Sequence, residues 1–257
     1  MFLKKFFFIT KDYFFLCLRV IISFFTGGIK CICCNKISYS MPLCRDCRLK
    51  LLESSAEEKN RCRICSKPLV SENELCMECR ENPILKTPDS VKCLFTYRLW
   101  KKRLLFSWKM ENQRSLSKFF ALAISNELKK IETNLKQIFI VPIPPRPGKL
   151  RVRGWDQIDE LSKYLKYFHS CKILPLLKRK SKNQQKKLDR NQRIEHKNQN
   201  YYLSNYCNKL IKMNFLPKEV IILDDVLTTG ITAEECASLL KSAGISSVRV
   251  LTLFIVD

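Results

Sequence analysis

Apolar positions fall along the chain in two rhythms. Residues 91–97, 139–143, 220–223 and 248–256 are short runs rich in β-branched or aromatic side chains. Such runs predict strands with both faces buried. Residues 115–131, 157–168 and 232–243 instead place apolar side chains at helical spacing. Ile173 and Leu174 add a short strand and Gly244 a turn, while Pro142, Pro144, Pro145 and Pro147 stop the 139–143 run. Strands that alternate with helices need crossover connections, so the pattern predicts an α/β fold on a mostly parallel sheet.

Three stretches break this pattern. Residues 1–29 are apolar and aromatic, interrupted by Lys4, Lys5, Lys11, Asp12 and Arg19, and their unbroken runs are too short to span a bilayer. A basic start before an apolar stretch imitates a signal peptide, but Asp12 and Arg19 interrupt its core and no small-residue cleavage site follows cleanly. The segment therefore reads as an amphipathic helix that packs on the rest of the protein or lies at a membrane surface. Residues 149–157, Lys-Leu-Arg-Val-Arg-Gly-Trp-Asp-Gln, form a basic loop leading into a helix. Residues 178–200 are polar, basic and poor in core side chains, which predicts a mobile loop or hood.

Cysteine spacing adds a second module. Eight of the 14 cysteines form four Cys-x-x-Cys pairs, Cys31/Cys34, Cys44/Cys47, Cys62/Cys65 and Cys76/Cys79. Each pair presents two thiolates on one side of a tight turn, and two turns complete a tetrahedral four-cysteine zinc site, so four turns make two sites. The simplest assignment takes neighbouring pairs together; interleaved pairing also satisfies the spacing. Cys33 is left as a bystander. A disulfide framework is the competing reading, and adjacent knuckles suit it poorly. So small a module has little core of its own, and chelation should unfold it.

Charge widens the range of partners. The formal net charge is +23, and eight thiolates holding two Zn²⁺ would bring it to about +19. Such a surface favours nucleic acid, anionic lipid or phosphate-bearing substrates. The basic residues are nevertheless spread along the chain, as on any solvated surface.

Residues 221–232 carry the sharpest chemistry, Ile-Ile-Leu-Asp-Asp-Val-Leu-Thr-Thr-Gly-Ile-Thr. The strand places Asp224 and Asp225 at its carboxyl end, where open α/β sheets bind ligands and two acids can accept from vicinal ribose hydroxyls. Thr228, Thr229 and Thr232 supply hydroxyl donors, Gly230 lets a backbone approach, and the helix beginning near Thr232 turns free N–H groups toward an anion. This dodecamer resembles the ribose 5-phosphate motif of type I phosphoribosyltransferases, whose shared substrate is phosphoribosyl pyrophosphate.

From about Ile29 onward the chain is similar to the ComF family, related to the GntX-type proteins. The likeness is carried by the cysteine knuckles, Val-Pro-Ile-Pro at 141–144, Arg-Val-Arg-Gly-Trp-Asp-Gln at 151–157, Gln185-x-x-Leu188-x-x-x-x-Arg193, and the Asp-Asp-x-x-Thr-Thr-Gly loop. It implies a double zinc ribbon at 30–82, with two structural zinc ions, and a type I phosphoribosyltransferase fold at 90–257. Departures from the family pattern are Trp155 for Phe, Asp156 for Asn, Ile231 for a small residue, His196 for Asn, and Asn112 for the glycine that follows Lys109. An added carboxylate at Asp156 repels a diphosphate unless Mg²⁺ or Arg153 offsets it.

The resemblance implies displacement of pyrophosphate from the anomeric carbon, with charge stabilised at both ends. Asp224 and Asp225 would hold the ribose hydroxyls, and Thr228, Thr229, Gly230 and Thr232 the 5-phosphate. Arg151 and Arg153 would face the pyrophosphate, Arg193 would arrive with the hood, and Mg²⁺ would be held mainly by the ligand. Neither histidine, His169 or His196, stands out as a general base. Three functions follow from these features: a cytoplasmic phosphoribosyl transfer enzyme, a DNA-uptake partner holding single-stranded DNA or a competence helicase, and a protein tethered peripherally to the membrane by residues 1–29.

Overall fold

The computed structural model describes residues 17–18, 20–57, 60–131, 137–148, 154–169, 171–180 and 200–256. In chain order, a small antiparallel pair, β1 (Ile29–Lys30) and β2 (Ile37–Ser38), precedes helices α1 (Arg45–Glu57) and α2 (Met77–Glu81). Then come β3 (Ser90–Thr96), α3 (Leu99–Lys109), α4 (Leu116–Ile131), β4 (Phe139–Pro142), α5 (Gln157–Phe168) and β5 (Lys172–Ile173). A second antiparallel pair, β6 (Leu177–Arg179) and β7 (Tyr201–Leu203), leads to α6 (Asn205–Lys212), β8 (Glu219–Leu227), α7 (Ile231–Ser242) and β9 (Ser247–Ile255).

Five of these strands make one parallel sheet in the order β3-β9-β8-β4-β5. This is the α/β fold, preceded by two cysteine-rich turns, that the resemblance implies. The apolar runs become strands and the helical stretches helices, each within a residue or so of expectation, except that β8 continues through both aspartates to Leu227. β6 and β7 bracket residues 181–199, so the body of the expected hood lies outside the described residues.

Alternation along the central strands builds two cores, one on each face of the sheet. Ile221 and Leu223 join Trp108, Phe120, Ile124 and Leu161 on one face. Val220 and Ile222 join Val141, Val250, Cys236 and Leu240 on the other. The cysteines divide in the same way: Cys31, Cys44 and Cys47 with Leu51 belong to the first core, and Cys62, Cys65, Cys76 and Cys79 with Leu85 to the second. Neither ribbon therefore relies on a core of its own, and burial against the sheet supplements whatever a metal contributes.

Residues 17–18 and 20–25 are helical, with Leu18, Val20, Ile21, Ile22, Phe24 and Phe25 exposed. No described helix is long and apolar enough to cross a membrane.

Candidate functional site

The sheet reverses its winding between β4 and β8. From β4 the chain steps outward to β5, whereas from β8 it steps the other way to β9. Such a switch point leaves a crevice beyond the carboxyl ends of the two strands. Here the crevice is deepened by unequal strand lengths. Pairing of β4 with β8 ends at Pro142 and Leu223, followed by one more bond from Ile143 N–H to the Leu223 carbonyl at 3.0 Å. On its other side β8 stays paired with β9 as far as Leu227 and Ile255. The proline-rich chain after β4 peels away, and a cavity of about 770 Å³ opens beside Asp224 and Asp225.

Both acids are partly buried and already engaged. Asp224 Oδ1 accepts the Asp225 N–H at 2.8 Å. Asp225 Oδ2 meets Lys109 Nζ at 2.7 Å, with the two side chains 14% and 23% exposed. Lys109 ends α3 and lines the cavity, so tertiary structure makes it the counter-ion of an aspartate. Thr228 and Thr232 line the same cavity. Thr229 lies in the loop but turns its Oγ1 to the Ile231 N–H, 3.4 Å away. Gly230 is the N-cap of α7 at φ +86°, and a Cβ there would lie 2.9 Å from Leu85 Cγ. The helix thus begins one residue earlier than expected, and its glycine is required by a neighbour and a left-handed backbone.

On the opposite wall, the Arg179 guanidinium lies 5.1 Å from the centre of the Tyr201 ring. Burial pushes the Tyr201 phenol up to about 12 against the pull of Arg179 and a hydrogen bond with Thr232. Tyr201 is therefore a neutral donor at ordinary pH. Neither residue was found from sequence, because Arg179 looks like the other bases of a polar stretch and Tyr201 sits in a strand of three residues.

Asp156 lines the cavity but spends its carboxylate locally. It is the N-cap of α5, and its Oδ1 accepts the Ile158 and Asp159 N–H groups at 3.0 Å each. The helix N-terminus itself offsets this charge, a third partner beside the Mg²⁺ or Arg153 expected from sequence. Arg151, Arg153, Arg193 and His196 lie outside the described residues. His169 caps the far end of α5 and pairs through Nδ1 with Ser125 Oγ at 3.2 Å.

Each set of four cysteines converges. The Sγ atoms of Cys31, Cys34, Cys44 and Cys47 lie within 4.8 Å of one another, as do those of Cys62, Cys65, Cys76 and Cys79. The Cys34–Cys44 and Cys65–Cys76 separations are 3.6 and 3.7 Å, near the ~3.8 Å edge of a tetrahedron with Zn–S bonds of about 2.3 Å. Neighbouring knuckles are paired, and Cys33 belongs to neither group. Burial raises the Cys31 thiol, yet N–H donors from Cys44, Cys34 and Cys33 bring it down to about 7. Against the same burial, donors from Cys65, Cys76 and Ile64 lower Cys62 to about 7. Cys47 and Cys65 are instead pushed far up by burial and by neighbouring thiols. A soft divalent cation would relieve that conflict, so both donor sets fit zinc.

No family model matches the chain. It is 27% identical over 211 residues to Competence protein ComFC of Streptococcus pneumoniae, covering 82% of this chain and 86% of that one. It is also 27% identical over 152 residues to Competence protein F of Haemophilus influenzae, covering 57% of this chain and 64% of that one. The chain is similar to the ComF proteins.

Two departures from the ComF pattern meet in space. Asn112 takes the left-handed backbone, φ +54°, that the usual glycine adopts freely and asparagine tolerates. Its Oδ1 accepts the Trp155 Nε1–H at 2.9 Å, a bond that glycine and phenylalanine cannot make. The pair ties the turn after Lys109 to the residue before Asp156, and so links two residues that line the cavity in this ComF-like chain.

Proposed function

We propose that this chain binds phosphoribosyl pyrophosphate together with Mg²⁺ at the β4–β8 switch point and transfers the phosphoribosyl group, in the cytoplasm and in support of DNA uptake. One observation carries the reading: two partly buried aspartates and two threonine side chains share a cavity of about 770 Å³ with the beginning of α7. Asp224 and Asp225 offer acceptors for the ribose hydroxyls, and Thr228, Thr232 and the free N–H groups of α7 offer donors for the 5-phosphate. Ribose hydroxyls that take over Asp225 free the Lys109 ammonium to face the diphosphate. Mg²⁺, held mainly by the ligand, would supply charge neutralisation on the departing pyrophosphate. Tyr201, protonated and beside Arg179, lines the same cavity and offers a further donor to a bound ligand.

Calorimetric titration of phosphoribosyl pyrophosphate with Mg²⁺ tests this reading. The zinc-loaded parent is expected to bind saturably, and a variant carrying both Asp224→Asn and Asp225→Asn to lose binding by about a hundredfold or more. An inert parent would sink it.

The net charge of +23 and the names of the two relatives favour a second reading. Here the chain is a non-catalytic partner in DNA uptake, holding single-stranded DNA or a helicase through its cysteine ribbons and basic surface. Salt-sensitive DNA binding that survives in the double aspartate variant is its signature. Contact with anionic lipid through residues 1–29 is compatible with either reading, and deletion of that segment would abolish vesicle binding.

A further inference from the structure

The segment that leaves the second cysteine cluster runs directly against the phosphate loop of the proposed site. Leu85 follows shortly after Cys79, is 7% exposed, and occupies the space over Gly230 that a Cβ would need. The next two residues grip the helix that the loop begins. Glu234 accepts the Lys86 N–H at 2.8 Å and the Thr87 N–H at 3.0 Å on one oxygen, and the Thr87 hydroxyl at 2.5 Å on the other. Three donors from so distant a segment exceed what a first-turn acid needs to complement its own helix dipole.

A second line of contacts runs to the strand that bears the acids. Ser66, next to Cys65, accepts the Cys93 N–H at 3.1 Å and so satisfies one donor on the outward edge of β3. Cys93 Sγ accepts the Thr252 hydroxyl at 3.0 Å, and Thr252 is the register partner of Asp224. Loop and acids are thus both braced from the side of Cys62, Cys65, Cys76 and Cys79.

We propose that Glu234 and Leu85 are positioning residues which pass the fixed geometry of the second four-cysteine cluster to the loop at 228–232, so that order in this loop depends on metal at the second cluster and not at the first. The part of the proposal that concerns ligand affinity rests on the phosphate-loop reading given above. Physically, N–H groups at a helix start hold an anion well only when their aim is fixed beforehand.

Full-length, zinc-loaded Glu234→Ala and Glu234→Gln proteins provide the test, with two zinc ions per chain confirmed by metal analysis. Hydrogen exchange at amides 228–234 in the ligand-free protein is expected to quicken about tenfold in Glu234→Ala. Glu234→Gln, which keeps an acceptor for the two N–H groups, should exchange like the parent. Cys76→Ser should loosen 228–234, whereas Cys34→Ser should loosen only its own ribbon. Affinity for phosphoribosyl pyrophosphate with Mg²⁺ should fall about tenfold in Glu234→Ala and recover in Glu234→Gln. Unchanged exchange in Glu234→Ala, or equal loosening by Cys34→Ser, overturns the proposal. A parent that binds no phosphoribosyl pyrophosphate overturns the ligand reading alone, because the exchange measurements still decide the brace.

Discussion

The two cysteine clusters share a ligand set and a knuckle spacing but differ in how the rest of the chain surrounds them. In the first, Cys34 is exposed while Cys31, Cys44 and Cys47 are buried; in the second, Cys62, Cys65, Cys76 and Cys79 are all buried. The first adds Met41, Leu43 and Leu51 to the core shared with α3 to α5, on the face away from Gly230. The second supplies Leu69 and Leu85 to the core beneath α7, a bond to the sheet edge through Ser66, and the strap on Glu234. Identical chemistry is thus built once into the core on the far face of the sheet and once into the core that supports the phosphate loop, and the difference lies in what each turn touches.

Ligand removal should separate the two most strongly. Binding free energies of structural zinc are on the order of 10 kcal/mol, comparable with the whole stability of a domain. Cys76→Ser is expected to release zinc and unfold the protein at a much lower denaturant concentration than the parent. Cys34→Ser should release metal more readily under a chromophoric chelator but leave the far-UV circular dichroism of the sheet domain in place. Equal collapse of both variants would erase the distinction.

Glycine substitutions sharpen it at smaller scale. Gly28 at φ +84° and Gly230 at φ +86° both hold left-handed backbone, and a Cβ at either meets a neighbour, Ile37 Cγ2 at 2.2 Å or Leu85 Cγ at 2.9 Å. Ile37 is 57% exposed and can swing into solvent, whereas Leu85 is 7% exposed. Gly230→Ala should therefore cost about 2–4 kcal/mol and Gly28→Ala about 1–2 kcal/mol, as measured by urea midpoints.

The smallest effect concerns pH. Burial would raise the Asp89 carboxyl, but Lys241 at 2.9 Å and the Val248 N–H at 2.6 Å outweigh it and hold the group below its ordinary value. A lowered pKa in the folded state contributes stability that is present above the unfolded value of about 3.9 and lost as pH falls through the folded one. Asp89 ends the same strap as Leu85. Exchange at 85–89 is therefore expected to quicken below pH ~4 in the parent, and Asp89→Asn to show that faster exchange at neutral pH.

Some of this was legible in the sequence because its causes are local. Cys-x-x-Cys spacing dictates a turn, and a β-branched apolar run of the length of 220–223 declares a buried strand wherever it occurs. Other features depend on partners far along the chain. The 220–223 run ends at Leu223, since aspartates weaken strand propensity, yet pairing with β9 carries β8 on to Leu227. The space Gly230 must leave is set by Leu85, and the counter-ion of Asp225 by Lys109. The three-residue strands β6 and β7 are too short for any period to register, which hid Arg179 and Tyr201. Asp156 offered a readable signal, an acid immediately before a helical run, but its proximity to other charges drew attention away from its role as a cap.

The ion pair between Lys109 and Asp225 carries one more consequence. An aspartate that brings its own cation is a poor trap for stray divalent metal, because an ion that takes Asp225 must first displace an ammonium held at 2.7 Å. Asp225 is thereby neutralised in advance, and on the proposed reading a polyanion that draws the lysine toward itself would uncover the carboxylate as it arrives. On that reading, metal and sugar phosphate would therefore enter together, and Mg²⁺ added alone should bind weakly in a calorimetric titration.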